Sequence, residues 1–157
     1  MMKESRIVSD DIQMVEVVKL TQSEKREQVF ISLFIAGFYE DAERKEALKT
    51  YYGMQNFSEE VSALVYDRYT LVREQLGAID TMLSQYAIGW DLNRIGKAEI
   101  NILRLAVYEI VYDAEIPNKV AVNEAVELAK KYGAAESYGF INGILGKVIA
   151  NSNEPGV

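Results

Sequence analysis

The 157-residue chain contains no cysteine and no histidine. Disulfides are excluded, as are thiol and imidazole nucleophiles and any Cys- or His-based metal site; a metal would need carboxylates alone. Only two prolines occur, Pro117 and Pro155. Long proline-free stretches favour helices, because proline removes a backbone donor and clashes with the preceding turn. No run of about 18 apolar residues is present, so no segment reads as a membrane span. The opening Met1-Met2-Lys3-Glu4-Ser5-Arg6 is polar and lacks the apolar stretch of a signal peptide. The cytoplasm is the expected location.

Positive charge is also scarce. Lys and Arg total 17 against 24 Asp and Glu, a formal charge of −7. The deficit is steepest over residues 51–90, with two basic and five acidic side chains. Affinity for phosphates comes largely from Lys and Arg, so this balance runs against nucleic acid, although a local basic patch can exist on an acidic surface. What the chain does have is apolar content: 49% hydrophobic residues, enough for the core of one domain or of two small subdomains.

The apolar positions are spaced for helices. Thr21-Gln22-Ser23-Glu24 reads as a capping box, and Val29, Phe30, Leu33 and Phe34 then share a face, followed by Gly37 and Phe38. Residues 40–50 form a charged second helix with Ala47 and Leu48 inward. Ser58 is an N-cap candidate with Glu59 and Glu60 in the first turn. Val61, Leu64, Val65, Tyr69, Val72 and Leu76 make a stripe at three- and four-residue spacing that Gly77 breaks or ends. Ile79, Met82 and Leu83 suggest a short helix before a loop around Gly89 and Trp90. Residues 100–112 are apolar almost all round, which predicts a central helix. Pro117 marks a new start. Val122, Ala125, Val126 and Ala129 line a helix ending at Lys130-Lys131-Tyr132-Gly133, where basic residues followed by Gly signal a C-terminus. Ser137 reads as the cap of the last helix, with Phe140, Ile144, Leu145 and Val148 inward.

The expectation is an all-α helical bundle of about seven helices with no convincing strand. Residues 1–20 form an N-terminal arm, read equally well as disordered or as a short strand or helix. Residues 21–151 form the helical domain, with subdomains at about 21–78 and 79–151, and residues 152–157 a frayed tail.

From residue 90 onward the chain resembles the NusB family. The resemblance is carried by Trp90-Asp91-Leu92-Asn93-Arg94-Ile95, by Ile102-Leu103-Arg104-Leu105-Ala106-Val107-Tyr108-Glu109-Ile110, by the stretch Ile116 to Gly133, and by Phe140-Ile141-Asn142-Gly143-Ile144-Leu145. The first half is similar mainly at Arg26-Glu27 and Leu33-Phe34. The resemblance implies two packed helical subdomains and no catalytic activity or cofactor. It implies binding to the single-stranded boxA element of ribosomal RNA transcripts, a heterodimer with NusE, the ribosomal small-subunit protein, and a place in the RNA polymerase antitermination complex. The same fold opens some RNA methyltransferases, whose catalytic domain 157 residues are too few to include. The chain departs from the family pattern at several places. Gln22–Arg26 holds two basic residues where an arginine-rich run is usual. Phe34 stands where Tyr is common, Gly139 where a basic residue often precedes the motif's Phe, and Gly146 where an Asp is usual.

Candidate RNA contacts are Lys25, Arg26, Lys130, Tyr132 and Phe140. Lys25 and Arg26 lie in the first turns of a helix, where free amides attract phosphate; the plain alternative is a solvated face beside Glu24 and Glu27. Phe140 and Tyr132 have the chemistry to stack on splayed bases, although aromatics at helical spacing are more often core. Phe34, Glu99 and Glu136 are candidate partner contacts, with ordinary packing or exposed carboxylates as the alternative. Arg104 and Asn142, inside apolar helices, read as structural: Arg104 paired with a carboxylate such as Glu109 or Glu124, Asn142 tying a helix start to a neighbour. Gly143 to Val148 superficially resembles part of a phosphate loop, but it lacks the motif's first half and lies within a helix. Asp10-Asp11 and Glu59-Glu60 offer no catalytic geometry, because adjacent residues on a helix point apart. Two functions remain in play: an RNA-binding antitermination adaptor, and a protein–protein adaptor of the same fold with little RNA affinity.

Overall fold

Thr21 opens the helical part of the chain as its sequence dictates. Its side chain accepts from the Glu24 N–H while the Glu24 carboxylate accepts from the Thr21 N–H, both at 3.0 Å, so two amides that a helix start leaves unpaired are satisfied reciprocally. The structure, a computed structural model, describes residues 4–6, 15–17, 19–89 and 91–152, with side chains for 19–89 and 91–152. Trp90, Asp10, Asp11 and the tail after Ser152 lie outside the described residues, and so do the expectations placed on them. Among the described residues seven α-helices follow one another: α1 Gln22–Ala36, α2 Asp41–Met54, α3 Glu59–Glu74, α4 Leu76–Tyr86, α5 Lys97–Tyr112, α6 Asn118–Tyr132 and α7 Ser137–Ser152. A 3-10 turn, Leu92–Arg94, precedes α5.

Strand occurs in the N-terminal arm, where a short strand is one of the readings that the sequence leaves open. Two three-residue strands, β1 Glu4–Arg6 and β2 Val15–Val17, pair antiparallel with Ser5 opposite Glu16. Pairs this short carry no alternating pattern that a sequence reading can detect.

The chain divides into two compact units, Met1–Thr70 and Leu71–Val157, with the division inside α3. In the first unit, Val29, Phe30, Leu33 and Ala36 of α1, Leu48 and Tyr52 of α2, and Val61, Val65 and Tyr69 of α3 are buried. Ser58 caps α3 as expected, its Oγ accepting from the Val61 N–H at 3.1 Å. Tyr52 reaches Ser32 with its hydroxyl, Oη to Oγ 2.8 Å, and Tyr51 donates to Gln28 Oε1 at 2.6 Å. Burial raises the pKa of both phenols, partly opposed by these hydrogen bonds.

In the second unit α5 is the central helix. Ile100, Ile102, Leu103, Leu105, Ala106, Val107 and Tyr108 are all buried, and α4, α6 and α7 pack against it. Arg104 is structural as expected, but its carboxylate is Asp80 of α4 rather than Glu109 or Glu124. Nε and Nη2 each bond one Asp80 oxygen at 2.9 Å, and Nη1 donates to Asn101 Oδ1 at 3.1 Å. The correct partner lies 24 residues away on another helix, beyond what helical spacing can reach. Gly77 does not end α3: the break comes at Gln75, and Gly77 sits in the first turn of α4, where an added Cβ would find open space among the described residues. Lys147 of α7 donates to the Tyr86 carbonyl at the end of α4, at 3.4 Å.

Candidate functional site

The candidate residues fall in both units. Lys25 and Arg26, in the first turns of α1, are half-buried. The capping box changes what this helix start offers an anion. The Thr21 and Glu24 amides are taken by side chains and the Lys25 amide by the Thr21 carbonyl at 2.9 Å. The amides left are those of Gln22 and Ser23, beside the Glu24 carboxylate. A negative charge already sits where phosphate would bind. Phe34 is half-buried in the middle of an aromatic ladder along α1, 6.3 Å from Phe30 and edge-on to Phe38 at 5.3 Å. The ladder runs from the core at Phe30 to the surface at Phe38, which is 58% exposed.

The second unit gathers a larger set where α6 ends and α7 begins. Lys130, Lys131 and Tyr132 close α6 and are exposed. Lys130 Nζ lies 3.7 Å from Glu127 Oε2 and 5.6 Å from the centre of the Tyr138 ring, and Lys131 Nζ lies 5.4 Å from the Tyr132 ring. Cations held at such distances over exposed rings attract them modestly. Asn123, Glu127, Lys130, Tyr138, Gly139 and Asn142 line an open groove of about 580 Å³ between α6 and α7. Phe140 is half-buried one residue further along α7.

Two expectations, those on Asn142 and Ser137, are corrected here. Asn142 does not tie a buried helix start to a neighbour; it is exposed and lines the groove, because it points about 100° away from Ile141 on the flank of the buried stripe of α7. Ser137 is the first residue of α7 rather than its cap, and its buried Oγ has no hydrogen-bond partner among the described residues. Gly133 ends α6 with φ −84°, not in the left-handed conformation a terminal glycine usually supplies. Glycine is needed there for space: a Cβ would stand 2.8 Å from the Ala129 carbonyl oxygen. Glu99, a candidate partner contact, is 8% exposed, and its Oε2 accepts from the Ala134 N–H at 2.6 Å. Glu136 is exposed, in the left-handed region at φ +67°.

Tyr138, Asn123 and Asn142 are the groove residues that sequence reasoning missed as a surface. The available signal was Tyr138 between a helix start and Gly139, the same one that singled out Phe140. Among the described residues no cluster of three or more acidic side chains is placed to hold a metal, and no helix is long and apolar enough to cross a membrane.

Comparison with known proteins agrees with this architecture. The sequence model of the NusB family matches residues 15–150. A transcription antitermination protein NusB from Lachnoclostridium phytofermentans is 46% identical over 131 residues, covering 83% of this chain and 99% of the relative. The NusB protein of Agathobacter rectalis is 40% identical over 82% of this chain and 98% of its own length. Among solved structures, T. maritima NusB superposes with a TM-score of 0.73 at 32% identity, covering 87% of this chain and 96% of that one. The fold is also that of a chain in a structure of the antitermination factors NusB and NusE with double-stranded RNA, with a TM-score of 0.71 at 20% identity.

Proposed function

The chain belongs to the NusB family, and on that premise we propose that it is a non-enzymatic, RNA-binding transcription antitermination factor. In this reading it pairs with NusE, binds boxA-type single-stranded RNA of ribosomal RNA transcripts, and works in the cytoplasm within the RNA polymerase antitermination complex. The observation that carries the proposal is the family match over residues 15–150, together with a NusB relative matched along 99% of its length. The solved assembly of NusB, NusE and double-stranded RNA supports the choice of partners.

The local chemistry fits weak, composite recognition. Tyr138 and Tyr132 each present a ring with a lysine over it, Phe140 stands half-exposed nearby in sequence, and Asn123 and Asn142 line the groove. Stacking supplies affinity for any base and amide hydrogen bonds supply preference. Lys25 and Arg26 of the first unit are separate candidates for phosphate contacts. The second reading, a protein–protein adaptor with little RNA affinity, is favoured by the Glu24 carboxylate at the start of α1 and by the charge of −7.

A titration separates the two. Binding of boxA-type RNA and of a scrambled RNA of equal length is measured at two salt concentrations. The RNA-binding reading expects boxA-type RNA to bind more tightly, with affinity falling as salt rises. Equal and negligible binding of both RNAs would establish the adaptor instead.

A further inference from the structure

The segment joining α6 to α7 is held by a carboxylate from a third helix. Glu99 is the third residue of α5, and a carboxylate there ordinarily folds back on its own helix start. Here its Oε1 does lie over Gly96, and its Oε2 reaches a backbone amide 35 residues away, that of Ala134, at 2.6 Å. Two glycines make room for it. A Cβ on Gly96, the residue that opens α5, would overlap Oε1, and a Cβ on Gly133 would stand 3.0 Å from Oε2. The Ser137 Oγ closes the same pocket from α7, because the Gly133 Cβ would also overlap it. Glu136 completes the segment at φ +67°, a conformation that a non-glycine residue keeps only where its surroundings fix it. Tyr138 and Phe140 follow directly.

We propose that Glu99 is a positioning residue: buried and touching neither RNA nor partner protein, it clasps the α6–α7 connection and thereby sets where Tyr138 and Phe140 stand. The consequence for RNA rests on the RNA-binding reading above, whereas the clasp is a property of the free chain. A charged acceptor makes a strong hydrogen bond to this part-buried amide, and its loss frees the segment locally rather than the whole unit.

The test uses the full chain with Glu99→Ala and Glu99→Gln. Amide hydrogen exchange at Ala134 is read by NMR without RNA, and binding is read with boxA-type RNA. Glu99→Ala should speed exchange at Ala134 by about tenfold or more and weaken RNA binding several-fold. Glu99→Gln keeps the shape and a neutral acceptor, folds even if the alanine variant does not, and should recover most of both effects. If Glu99 acts through α7, adding Glu99→Ala to a Tyr138→Ala/Phe140→Ala background should weaken RNA binding no further. Unchanged exchange at Ala134 would overturn the clasp. Additive losses of RNA affinity would show Glu99 contacting a ligand directly and overturn the positioning role. If the unaltered chain failed to bind boxA-type RNA, the RNA-binding reading would fall and the role toward RNA with it, and the exchange rates would still decide the clasp separately.

Discussion

Replacing Lys25 and Arg26 together by alanine probes the helix start that carries the fewest basic residues for its proposed task. Both side chains are half-buried, beside a capping box whose carboxylate occupies the positive end of α1. If each cation neutralises one phosphate of a single strand, the double variant should lower the slope of log affinity against log salt by about 1.4, at roughly 0.7 per contact. Raising salt fourfold should then weaken the unaltered chain about sevenfold more than the variant. All RNA sequences should be affected alike, because phosphate contacts carry no sequence information. Glu24→Gln is the complementary change. Glutamine can still accept from the Thr21 N–H, so the cap survives, while the charge that repels phosphate is gone; RNA binding should tighten by roughly twofold to fivefold, the scale of one partly exposed charge interaction. The assay is fluorescence anisotropy with labelled RNA at four salt concentrations, with a thermal melt of each variant. Identical slopes for the unaltered chain and the double variant, at equal melting temperature, would refute the phosphate contacts.

Phe140→Ala should cost about 1–3 kcal/mol of RNA binding with the salt slope unchanged, because stacking involves no counterion release. A full core phenylalanine costs about 3–5 kcal/mol of stability on truncation; a half-buried one should cost less, and a loss at the top of that range with unaltered RNA affinity would place Phe140 in the core. Asp80→Asn should destabilise the second unit by about 1–2 kcal/mol, between the values for exposed and buried ion pairs, since the Arg104 and Asp80 side chains are 25% and 32% exposed; denaturant unfolding checks this, and no change would mean that the pair contributes nothing. The raised pKa values of Tyr51 and Tyr52 imply alkaline instability. Their neutral forms are favoured by folding, so this stability is complete below the unfolded value of about 10 and is lost as pH rises beyond it. Tyr52→Phe should flatten that loss in melts taken across the alkaline range, and an unchanged pH profile would contradict the burial.

Much of the fold was legible because helices announce themselves locally. The capping box at Thr21, the cap at Ser58, the all-round apolar run of α5 and the restart after Pro117 each depend on residues within about four positions of one another. The errors share the opposite character. The Asp80 partner of Arg104 and the grip of Glu99 on Ala134 both join residues far apart in sequence. Asn142 was misread because α7 is apolar on average, and only the packing shows which of its faces meets solvent. At the candidate site, Lys130, Tyr132 and Phe140 could be named from residue type and helix boundaries. Tyr138 and Asn123 needed the three-dimensional pairing of α6 with α7 before they belonged to any surface.

The central claim is that this chain recognises RNA together with NusE, and the direct measurement is the affinity for boxA-type RNA with and without saturating NusE at fixed salt. Two weak surfaces held in one complex act at high effective concentration, so NusE should tighten binding by about tenfold or more, and by linkage RNA should tighten NusE binding by the same factor. Equal RNA affinity with and without NusE would contradict the account.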